Sequence, residues 1–69
     1  MTDFKITMEA ARVNAGLTQQ GIADKMGVSR GTIIQWEKGK VIPKPAQFRF
    51  FCELCEAPID CILLPTAQL

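Results

Sequence analysis

Two helix-starting residues and two helix-ending glycines, set close together, constrain this chain more than any other feature. They are Thr18, then Gly27-Val28-Ser29, then Gly39. The hydroxyls of Thr18 and Ser29 can accept hydrogen bonds from the unpaired N–H groups of a first helical turn. Gly27 and Gly39 readily take the left-handed backbone that ends a helix. The pattern predicts one helix from Thr18 as cap to Met26, and another from Ser29 as cap to Lys38. Only Gly27 and Val28 lie between the first helix and the second cap, so the two helices must meet at a steep angle, with Val28 buried at the turn.

That is the geometry of a helix-turn-helix unit, with its motif core at about residues 18–38. The flanking sequence supplies helices to pack it. Thr7 can cap a first helix that carries Glu9 in its first turn and closes at Gly16. Met8, Ala11 and Arg12 then share a face. Ile22, Ala23 and Met26 form the apolar face of the second helix, where Gly21 costs about 1 kcal/mol relative to alanine. Pro45 suits the first position of a fourth helix, which runs to about Glu56 with Phe48, Phe51, Cys52 and Cys55 at helical spacing. Pro58 breaks the chain, and a short fifth helix is predicted over roughly Ile59 to Leu64, before Pro65. There is no β-type alternation, repeat or low-complexity segment. The expectation is an all-α, compact bundle of five short helices, a single domain over 1–69.

Composition agrees. At 69 residues and 48% apolar, the chain can bury one core with a few kcal/mol of margin. No apolar run approaches the roughly 18 residues of a membrane span, and no secretory leader is visible, so a cytoplasmic protein is expected. Cys52, Cys55 and Cys61 are odd in number and crowded into one end, which suits reduced thiols better than a disulfide framework. The net charge is only +1, but it is polarised. Residues 25–49 hold Lys25, Arg30, Lys38, Lys40, Lys44 and Arg49 against Glu37 alone, whereas residues 50–69 hold Glu53, Glu56 and Asp60 and no base. A basic middle points to an anionic partner, although a charge cluster is also the ordinary make-up of a solvated face.

The stretch ARVNAGLTQQGIADKMGVSRGTIIQWEKGKVIP, residues 11–43, resembles the XRE/Cro class of helix-turn-helix DNA-binding domains, the lambda repressor-like fold that includes phage repressors. The resemblance is carried by Ala11-Arg12, Gly16-Leu17-Thr18-Gln19, Ile22-Ala23, Gly27-Val28-Ser29, Thr32-Ile33, Trp36-Glu37, Gly39-Lys40 and Pro43, and Ile59-Asp60 and Leu63 extend it. It implies sequence-specific binding of double-stranded DNA by a transcriptional regulator, a bacterial or phage repressor, with no cofactor. The third helix would be the recognition helix, entering the major groove by its N-terminal end. Ser29, Arg30, Gly31, Thr32 and Gln35 would then face bases. Arg30 suits guanine O6/N7 and Gln35 suits adenine N6/N7. Gly31 departs from the longer polar residue common at that place; it allows close backbone approach but removes a base contact. Gln19 matches the family's phosphate-contacting glutamine, and Lys38, Lys40 and Lys44 would hold flanking phosphates. Arg12 and Glu37 match a partly buried salt bridge that fixes the recognition helix.

Each role has a plainer competitor. Ser29 can be a helix cap alone, Arg30 a solvated surface arginine, and Lys25 is expected to be solvated. Trp36 packs into the core in preference to stacking on a base. Ile34 is expected to be exposed, where it can meet a thymine methyl. The Cys52-x-x-Cys55 spacing, with Cys61, has the form of a metal or redox site, but cysteine also packs as a small hydrophobe, and core packing is the expectation. With no histidine or tyrosine and no clustered carboxylates, no general acid–base pair can be assembled, so an enzyme is not expected. One domain reads about one half-site. A two-fold operator then calls for a homodimer, for which Ile59, Ile62, Leu63 and Leu64 are the candidates; they serve equally as core and capping tail. A protein-interaction module of the same fold, such as an antitoxin or a partner of another regulator, is the main rival, and a thiol or zinc sensor the lesser one.

Overall fold

The computed structural model describes residues 5–64. Its elements are α1 (Met8–Asn14), α2 (Gln19–Met26), α3 (Arg30–Glu37), α4 (Pro45–Leu54) and a 3-10 turn (Ile59–Cys61). The expected caps are formed. Thr7 Oγ1 accepts from the Ala10 N–H at 3.0 Å, Thr18 Oγ1 from Gly21 at 2.8 Å, and Ser29 Oγ from Thr32 at 3.1 Å. Pro45 is the first residue of α4, and Gln47 Oε1 accepts from the Lys44 N–H at 2.9 Å, satisfying a donor at the start of that helix.

All four helices end the same way. After α1, α2, α3 and α4, the N–H groups of Leu17, Val28, Lys40 and Ala57 reach back to the carbonyls of Arg12, Ala23, Gln35 and Cys52, five residues earlier, at 3.0–3.1 Å. This is the six-to-one hydrogen bond of a Schellman ending, which needs a left-handed residue just before the donor. Glycine supplies it three times, at φ of 72–76°, and Glu56 supplies it once, at φ 54°.

Two expectations are corrected here. The fourth helix stops at Leu54 rather than near Glu56, because Glu56 takes the left-handed conformation in spite of its Cβ. The fifth helix is a single 3-10 turn, so the bundle has four α-helices among the described residues. Ile62 leaves that turn in extended backbone, at φ −114° and ψ 128°. It forms a parallel bridge with Ile6, in which the Ile6 N–H donates to the Cys61 carbonyl at 2.9 Å and the Leu63 N–H to the Ile6 carbonyl at 2.8 Å. Pairing with the segment before α1 satisfies backbone groups that a longer helix would have bonded to itself.

The core joins all four helices. Ile22, Ala23, Ile33 and Phe51 have no exposed surface, and Met8, Ala11, Trp36, Phe48, Cys52, Cys55 and Ile62 are buried with them. Sequestering each large side chain of this set stabilises the fold by about 1.5–3 kcal/mol. Val28, at the turn, is half-buried and packs against the core. The inward faces of α1 and α4 are the predicted ones. Ile62 is a core residue at 3% exposure, so it drops out of any contact between two copies, whereas Ile59, Leu63 and Leu64 remain exposed.

Candidate nucleic-acid interface

The two faces of α3 have different environments. Ile33 and Trp36 point into the core, and Trp36 is 2% exposed, so it is not available to stack on a base. On the outer side, Ser29, Arg30, Gly31 and Gln35 are exposed and Thr32 is half-buried. Ser29 and Thr32 are joined through their hydroxyls at 3.0 Å, so the Ser29 side chain both caps the helix and stays at the surface. Ile34 is half-buried rather than exposed.

The inner end of α3 is fixed by charge. Arg12 Nε donates to Glu37 Oε2 at 2.6 Å, Arg12 Nη2 to Glu37 Oε1 at 3.4 Å, and Arg12 Nη1 to the Leu17 carbonyl at 2.8 Å. The side chains of the pair are 9% and 4% exposed. The predicted salt bridge is therefore present, with the guanidinium also engaging the chain just after α1. Gln19, the first residue of α2, joins it by donating from Nε2 to Glu37 Oε1 at 3.1 Å. This contact was not legible from sequence: glutamine at a helix start reads as solvent-facing, and only the fold brings it beside Glu37. It leaves the amide with one further N–H and its carbonyl oxygen for other partners.

Of the predicted phosphate contacts, Lys38 is the C-cap of α3, Lys40 lies in the following loop and Lys44 precedes α4; all three are exposed. The Lys40 and Val41 N–H groups both donate to the Gln35 carbonyl, at 3.0 and 3.3 Å, which anchors the basic loop to the exposed outer turn of α3. Pro43, within that loop, is buried. Sequence reasoning assigned no role to Val41 and Ile42, yet they are 47% and 45% exposed between Lys40 and Lys44. Their apolar character reads as core, so composition gave no signal. Lys25 is exposed at the end of α2, as expected.

Cys52 and Cys55 belong to the core. Cys52 and Cys55 are buried and Cys61 half-buried. Burial pushes the Cys55 thiol up to about 11, reinforced by neighbouring Cys52, and burial likewise raises Cys52. Thiols held protonated and packed against apolar neighbours behave as small hydrophobes, in keeping with the expected core packing of Cys52 and Cys55.

A family model described as Helix-turn-helix matches residues 8–60, a span that takes in all four α-helices. No curated protein and no solved structure matches the chain.

Proposed function

This chain belongs to the XRE/Cro-like helix-turn-helix family, a family of DNA-binding transcription regulators, and on that premise we propose that it binds double-stranded DNA sequence-specifically through α3. The observation that carries the reading is the division of α3: one face is committed to the core and the Arg12–Glu37 pair, while Ser29, Arg30, Gly31 and Gln35 are exposed. Seated in the major groove, Arg30 pairs with guanine O6/N7 and Gln35 with adenine N6/N7, and the hydroxyls of Ser29 and Thr32 reach either donors or acceptors. Lys38, Lys40 and Lys44 neutralise flanking phosphates, joined by the remaining amide group of Gln19. Val41 and Ile42 lie against the sugars between those phosphates.

In this account the protein is a cytoplasmic repressor of bacterial or phage origin, acting without catalysis or cofactor by occupying its operator. A two-fold operator is read by two copies with half-sites about 34 Å apart. The exposed Ile59, Leu63 and Leu64 are the residues this reading assigns to the contact of an isologous dimer. The same patch supports the second reading, an interaction module whose partner covers those residues and not α3.

An NMR titration with duplex DNA separates the two. Amide shifts concentrated at 29–35 and 38–44 support DNA reading. An unresponsive α3, with a protein partner shifting only residues 59–64, supports the interaction module.

A further inference from the structure

The structure accounts for every glycine of the chain but one. Gly16, Gly27 and Gly39 have φ of 72–76° at the ends of helices. Gly21 has ordinary helical backbone, but a Cβ there would come within 2.9 Å of Thr18 Oγ1, the atom that caps α2. Gly31 has neither reason. It lies inside α3 without positive φ, it is exposed, and a Cβ would meet only Ser29 Oγ, at an ordinary contact distance of 3.7 Å. Within the protein alone, alanine would fit there and would favour the helix, since glycine is among the weakest helix formers.

We propose that the bare backbone at Gly31 is a specificity-determining feature: it admits a base edge of the duplex to the space a side chain would fill, and so sets how deeply α3 seats in the major groove. The proposal rests on the DNA-binding reading and deepens it. Gly31 and Gln35 are one turn apart, so they share a strip of the outer face. With nothing projecting at 31, the helix sits closer to the bases and the Gln35 amide reaches an adenine edge from the second turn. A methyl group at 31 holds the helix away and withdraws Gln35 with it. Gly31 thus acts through shape and seating rather than through a hydrogen bond.

The test compares wild type, Gly31→Ala, Gln35→Ala and the double variant, each by thermal unfolding and by titration of the best duplex selected by wild type from a random pool. Gly31→Ala is expected to raise Tm, by at most about 4–8 °C, the response of so small a domain to the full alanine-for-glycine gain of a helix interior. It is also expected to weaken binding to the selected duplex on the order of tenfold, with binding to unrelated duplex at low salt unchanged. Because both residues serve one contact, the double variant should lose less than the two single losses combined. Selected-site binding equal to wild type, or losses that simply add, overturns the proposal and leaves the DNA reading standing. A lowered Tm shows that the fold itself needs the glycine, and overturns it equally. Failure of wild type to select any duplex removes the DNA reading and this proposal together.

Discussion

The opposite ends of α3 show how one short helix can be both anchored and open. At its C-terminal end Glu37 accepts from Arg12 and from Gln19, so three segments, α1, the start of α2 and the end of α3, converge on a single carboxylate. At its N-terminal end Ser29 Oγ accepts from the Thr32 N–H, and among the described residues no side-chain hydrogen bond ties Ser29 or Arg30 to another helix. The Glu37 carboxylate is used inside the protein, whereas Arg30 in the first turn and Gln35 further along the outer face have no intramolecular hydrogen bond from their side chains among the described residues. Rigidity at one end is what makes the other useful. A side chain discriminates bases only if its backbone is held in place, and the buried pair does this without covering the outer face.

The contrast predicts that substitutions at the two ends fail in different assays. The largest effect belongs to Glu37→Ala, which leaves the Arg12 guanidinium buried without its partner and should cost about 3–5 kcal/mol by urea denaturation. Replacing both residues, as Arg12→Met with Glu37→Leu, should recover most of that loss. A double variant no better than Glu37→Ala would show that the carboxylate does more than pair the arginine. Arg30→Ala comes next, with a loss of about 1–3 kcal/mol of base discrimination at one position. Its stability should stay within about 0.5 kcal/mol of wild type; a larger change would break the division between the ends.

Thr18→Ala removes the cap on Gly21 and should cost about 1 kcal/mol of stability in the same denaturation assay, with base preference unaltered. The effect of pH also belongs to the core. The Cys55 thiol is raised from the ordinary 9.0 to about 11, so between those values the unfolded chain loses a proton that the native chain keeps. Stability therefore falls as pH rises through that window, and the urea midpoint of Cys55→Ala should fall less over the same range. The smallest change expected is for Lys40→Ala, which should weaken binding to all duplexes alike and lower the salt slope by about 0.9. A sequence-selective loss would instead make Lys40 a base contact.

Much of this organisation was legible in the sequence because caps and glycines act locally. Thr7, Thr18 and Ser29 each bind the N–H three residues on, and left-handed Gly16, Gly27 and Gly39 follow the ends of the first three helices; no distant partner is needed to infer either. The end of α4 was misplaced for the same reason: Glu56 does locally what glycine does elsewhere, and its identity gives no sign of it. The last segment was misjudged because its hydrogen bonds are non-local, Ile62 being held by Ile6 across the whole chain. At the interface, the Arg12–Glu37 pair was recoverable from the family resemblance, whereas the Gln19 contact and the exposure of Val41 and Ile42 depend on how the helices are packed.

The central claim, that the outer face of α3 reads base sequence, is tested most directly by selecting bound duplexes from one random pool with wild type and Arg30→Ala in parallel. The account predicts an enriched motif for wild type that contains a guanine, and loss of preference at that one position for the variant, the rest of the motif being kept. An identical motif from both proteins, or no enrichment with wild type, would contradict it.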